Sequence, residues 1–74
     1  MYAYILIRTD MGKVMDVLAA IKAIQEVKSA HATIGPYDVI AFVEFSDPEA
    51  IKSLLIDKIQ KVTGISRTLT CLAA

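Results

Sequence analysis

The chain has 74 residues, 55% of them hydrophobic, and eight Lys plus Arg balance eight Asp plus Glu for zero net charge. That length allows one domain over residues 1–74, and a single cysteine and a single histidine exclude an intrachain disulfide and a structural zinc site of four side chains. The absent basic excess argues against direct nucleic-acid binding. No apolar run approaches the roughly 20 residues needed to cross a bilayer, and the N-terminus lacks a signal-peptide pattern, so the expected location is the cytoplasm. No cofactor is expected.

Tyr2 to Arg8 is apolar on both faces, with Ile5 and Ile7 on one and Tyr4 and Leu6 on the other, as suits a central strand. A turn through Thr9, Asp10, Met11 and Gly12 comes next. Val14, Val17, Leu18 and Ile21 then repeat at i, i+3, i+4 and i+7, with Ile24 extending the stripe of a helix of about three turns. Thr9 or Asp10 is expected to start that helix by accepting backbone N–H bonds. Glu26 to Ile34 is more polar and reads as an edge strand. Gly35-Pro36-Tyr37-Asp38 is turn chemistry, with Gly35 read as needing an unusual φ.

Val39 to Phe45 is again apolar on both faces and predicts a second central strand. Ser46 with Glu49 matches a capping box, while Asp47 before Pro48 offers an alternative cap and first helical residue. Ile51, Leu54, Leu55, Ile59 and Val62 form that helix's apolar stripe, and Gly64 suits its stop. Ile65 to Leu72, rich in Thr, closes the chain as a fourth strand.

The order is β-α-β-β-α-β. Right-handed crossovers in both βαβ halves give an α+β, ferredoxin-like sandwich with an antiparallel sheet in the order 4-1-3-2 and two helices on one face. The first and third strands, the most apolar, then fall at the centre. The other face of the sheet exposes either Tyr2, Tyr4, Leu6, Ile40 and Phe42 or the alternate set with Ile5, Val39 and Val43. Leaving about 400 Å² of such surface in water forgoes about 10 kcal/mol, which predicts a sheet-to-sheet dimer.

Three local features narrow the family. Gly35-Pro36-Tyr37-Asp38 resembles the Gly-x-Tyr-Asp turn of the effector-binding module of Lrp/AsnC transcription regulators. Gly64-Ile65 with Thr68-Leu69-Thr70 resembles the same module's step into a last strand bearing a Thr-x-Thr pattern. Ile24-Gln25-Glu26-Val27 matches its link into the second strand. Full-length members carry an N-terminal helix-turn-helix domain, whereas Met1 stands here at the first strand of the module, so a stand-alone form is expected. The resemblance implies a dimeric α+β barrel whose homodimers assemble into octamers or decamers. It also implies a small effector, typically an amino acid, bound between dimers near the turn, and co-assembly with full-length regulators.

An amino acid needs donors for its carboxylate and an acceptor for its ammonium. Backbone N–H groups around Gly35 and Tyr37, on either side of Pro36, offer the first, and Asp38 the second. Thr33, Thr68 and Thr70 add hydroxyls, although Thr is also an ordinary strand former and Asp38 an ordinary turn residue. Cys71 reads as a small buried hydrophobe, and His31 as a packed or solvent-facing strand residue. Two alternatives stay open. One is a small dimeric α+β barrel enzyme using His31 between sheet and helices, and the other an ACT-like module pairing sheets edge to edge.

Overall fold

In the computed structural model, which describes residues 1–73, the elements are β1 (Tyr2–Thr9), α1 (Val14–Lys22), β2 (Val27–Ala32), β3 (Val39–Glu44), α2 (Pro48–Asp57) and β4 (Ile65–Ala73). The antiparallel sheet runs β2-β3-β1-β4, which is the expected order read from its other edge. Cross-strand pairing sets the two faces. Ala3, Ile5 and Ile7 lie opposite Val43, Ala41 and Val39, and all six are fully buried. Val17, Leu18 and Ile21 of α1 and Ile51 and Leu54 of α2 are buried with them in one core. Each buried Val, Leu or Ile contributes about 1.5–3 kcal/mol by leaving water.

The opposite face carries Tyr2, Tyr4, Leu6, Ile40 and Phe42, the first of the two expected sets. Tyr2 and Tyr4 remain 45% and 47% exposed. Their rings flank Phe42, with centroids 5.4 Å and 5.2 Å away. Leu69 joins the patch opposite Leu6 and is 47% exposed. Cys71 lies opposite Tyr4 on this face and is exposed rather than buried, because strand alternation puts it on the side the helices leave open.

The helix ends depart from expectation in one case and decide between readings in the other. Neither Thr9 nor Asp10 caps α1; Lys13 occupies the cap position without a side-chain bond, and its N–H donates to the Asp10 carbonyl at 3.0 Å. Thr9 is engaged instead by Asp38, across the sheet. For α2, Asp47 is the cap, accepting the Ala50 N–H at 2.9 Å, with Pro48 next, so the Ser46–Glu49 box is not used. The α-helix ends at Asp57 and a 3-10 turn over Ile59–Lys61 completes the stripe, burying Ile59. Gly64 then takes φ +99°, and its carbonyl accepts the Asp10 N–H at 2.7 Å. A Cβ there would stand 3.0 Å from Lys13 Cβ and 3.2 Å from Val17 Cγ2.

Glu26, just ahead of β2, pairs with Lys58 at the end of α2, at 2.8 and 2.9 Å. The Lys58 ammonium, through that hydrogen bond first, holds the Glu26 carboxyl below its ordinary value of 4.5. The contribution is whole above the unfolded-state value and fades as pH falls through the lower folded one. Glu26→Gln is therefore expected to lower urea stability by less than about 1 kcal/mol at neutral pH, in a salt-sensitive way, and the difference from the parent should vanish in strong acid. Gly64→Ala should cost about 1–3 kcal/mol in the same denaturation measurement, from positive φ and crowding together. Gly35→Ala should leave stability unchanged or raise it by up to about 1 kcal/mol.

Candidate functional site

The turn between β2 and β3 is closed at its base by its own backbone. Thr33 N–H donates to the Asp38 carbonyl at 2.9 Å, and Asp38 N–H donates to the Ile7 carbonyl of β1 at 2.8 Å. The Thr33 hydroxyl donates to the Tyr37 carbonyl at 2.8 Å. Between these bonds the chain projects outward: Ile34, Gly35 and Pro36 are exposed, while Thr33, Tyr37 and Asp38 are half-buried. Gly35 does not take a positive φ, contrary to expectation. A following proline disfavours helical backbone at the residue before it, which weighs against the left-handed turn conformation at Gly35. A Cβ at Gly35 would meet nothing within 4 Å, which leaves its backbone open to close approach.

The Asp38 carboxylate is half-used. Its Oδ2 accepts from the Thr9 N–H at 2.8 Å and from the Thr9 hydroxyl at 3.2 Å. Its Oδ1 accepts no hydrogen bond among the described residues. Nor do the N–H groups of Ile34, Gly35 and Tyr37 donate to any described residue. Three backbone donors and one carboxylate oxygen thus remain unengaged around a single turn.

Thr68 and Thr70 sit elsewhere. They pair with Ile7 and Ile5 on the helix-covered side of β4, and β1 separates β4 from β3. Two strand spacings place them about 10 Å from β3, so the turn and the Thr pair do not converge within one chain. His31 pairs with Ile40 on the open face of an edge strand, exposed to solvent, and not between sheet and helices. A shallow groove of about 370 Å³ follows the outer edge of β2, lined by Lys22 and Val27 to His31. Among the described residues no three His, Cys, Asp or Glu side chains gather where they could hold a metal ion. No helix there is long and apolar enough to cross a membrane.

Local patterning reads Thr9 only as a helix start and does not flag its link to Asp38, 29 positions away. Topology alone carries the signal: with β1 antiparallel to β3, the end of β1 must meet the start of β3.

The family profile described as Lrp/AsnC ligand binding domain matches residues 2–74. The chain belongs to the Lrp/AsnC family, as its ligand-binding domain. Among solved structures it is similar to TTHA0845 from Thermus thermophilus, with 32% identity and a TM-score of 0.93 over 99% of this chain and 91% of that one. It also resembles AsnC of E. coli, with 27% identity and a TM-score of 0.92 over 97% of this chain and 49% of AsnC, so it spans about half of that chain. A third likeness, of fold alone, is to the transcriptional regulator NMB0573 of Neisseria meningitidis in complex with L-Met, with 19% identity and a TM-score of 0.87 over 99% of this chain and 49% of that one. No protein of curated function matches the sequence.

Thr33→Val keeps the β-branched shape and removes only the hydroxyl bond to Tyr37. A loss of about 0.5–1.5 kcal/mol in chemical denaturation is expected, whereas His31→Ala should stay within about 0.5 kcal/mol of the parent.

Proposed function

We propose that this domain is an amino-acid-sensing and oligomerisation module of the cytoplasm, binding a small effector between dimers and modulating full-length Lrp/AsnC regulators. On this reading it acts without catalysis and without touching nucleic acid itself. The observation that carries the proposal is the Thr33–Asp38 turn, with the free N–H groups of Ile34, Gly35 and Tyr37 beside the unengaged Oδ1 of Asp38. Donors for a carboxylate and an acceptor for an ammonium, a few residues apart, are what an amino acid requires. The L-Met bound by NMB0573 supports that ligand class. Because Thr68 and Thr70 stand apart from the turn, any contribution they make is to the effector site of a neighbouring subunit.

The open sheet face supports assembly. Burying about 400 Å² of apolar surface per subunit gains at most about 10 kcal/mol, set against an association cost of roughly 4–15 kcal/mol. Face-to-face packing also favours this reading over edge-to-edge pairing, because the apolar side chains stand on the face. Dimers of this kind would then close into octamers or decamers. The exposed position of His31, away from the helix side, disfavours the barrel-enzyme alternative.

Native mass spectrometry with and without a mixture of the common amino acids tests both parts. The expected result is even-numbered assemblies carrying a bound amino-acid mass, with Tyr4→Lys shifted towards monomer. A monomeric parent at micromolar concentration would overturn the assembly reading, and no bound mass at millimolar ligand would overturn the effector reading.

A further inference from the structure

The bond between Thr9 and Asp38 has a charge asymmetry. Both donors to the Asp38 carboxylate are neutral, and both reach the same oxygen, Oδ2. The Glu26–Lys58 pair is the one ion pair among the described residues, so no side-chain cation there neutralises Asp38. The bonds on the first oxygen fix the carboxylate plane and so aim the second.

The need for the contact comes from the sheet itself. Asp38 N–H to the Ile7 carbonyl closes the β1–β3 ladder at this end. One residue pair further on, β3 has turned away, and the Tyr37 carbonyl is occupied by the Thr33 hydroxyl. The register of β1 against β4 also shifts between Arg8 and Thr9. Thr9 N–H has therefore run out of strand partners on this side, and the Asp38 side chain supplies one. An asparagine would serve that structural purpose equally well, since its carbonyl oxygen also accepts. What the aspartate adds is negative charge on the oxygen left over.

We infer that Thr9 is a positioning residue of the effector turn: it clamps Oδ2 of Asp38 so that Oδ1 is presented, charged and oriented, to the primary ammonium of a free amino acid. The inference rests on the proposed effector role of the turn and assigns a new residue to it. Thr9 touches no ligand. It fixes the direction of the residue that does, and links the turn to the end of β1 directly ahead of α1.

The test is calorimetric titration of the parent, Thr9→Val, Thr9→Ser, Thr33→Val and Asp38→Asn with each common L-amino acid and its N-acetyl derivative, with amide exchange followed at Thr9. The parent is expected to bind free amino acids over their N-acetyl forms. Thr9→Val should bind the best ligand about 2–10-fold more weakly, the equivalent of one hydrogen bond, and Thr9→Ser should recover to within about twofold. Asp38→Asn should lose the preference for the free amine while its Thr9 amide stays protected. Thr33→Val, which loosens the turn elsewhere, should keep that preference. Equal affinity of the parent and Thr9→Val would overturn the positioning role and leave the turn as an effector site. No binding of any amino acid by the parent would overturn the effector reading and this inference with it.

Discussion

Two helices can shield only one side of a four-stranded sheet, and the rest of this molecule depends on which side they take. With Ile5, Ile7, Val39 and Val43 fully buried under α1 and α2, the alternation of β1 and β3 forces Tyr2, Tyr4, Leu6, Ile40 and Phe42 to the other side. Had the register slipped by one residue, the tyrosines would have entered the core, where each hydroxyl needs a partner. The small residues Ala3, Ala30 and Ala41 lie buried on the helix side. The aromatic residues on the open side instead form a packed cluster centred on Phe42.

The same sheet determines where chemistry is available. Within the sheet the backbone is spent on ladder bonds, so free donors and acceptors occur along the outer edges of β2 and β4 and where strands part. At the β2–β3 end the turn keeps its base closed through Thr33 and Asp38 and leaves its tip unbonded. Three connections meet at this end, because Asp38 reaches Thr9 at the end of β1 and Asp10 reaches Gly64 ahead of β4. A ligand drawn to the turn would therefore bear on the starts of both α1 and β4 through short, mostly backbone links.

Much of this architecture is legible from residue order. The central strands announce themselves by being apolar on both faces, and Asp47-Pro48 and Gly64 mark where α2 begins and where the chain turns into β4. The turn is legible as Gly35-Pro36-Tyr37-Asp38, but its backbone is not, because Pro36 weighs against the freedom Gly35 suggests. The capping expected of Thr9 fails because Thr9 still belongs to β1 and α1 begins only at Val14, while its hydroxyl donates to Asp38 across the sheet. Local rules rank Thr9 by its immediate neighbours in the chain, whereas its partner arrives across the sheet. Thr68 and Thr70 illustrate the converse: the spacing marks a strand, yet only the sheet order reveals that β1 stands between them and the turn.

Cys71 has a practical consequence. Its thiol stands on the open face opposite Tyr4, with no disulfide partner in its own chain. The chain thus carries a natural chemical reporter on the surface through which we propose it assembles. The rate at which a bulky maleimide reacts with that single sulfur reads the fraction of faces uncovered at any moment. On the proposed pairing, its dependence on protein concentration traces the association equilibrium without a mutation.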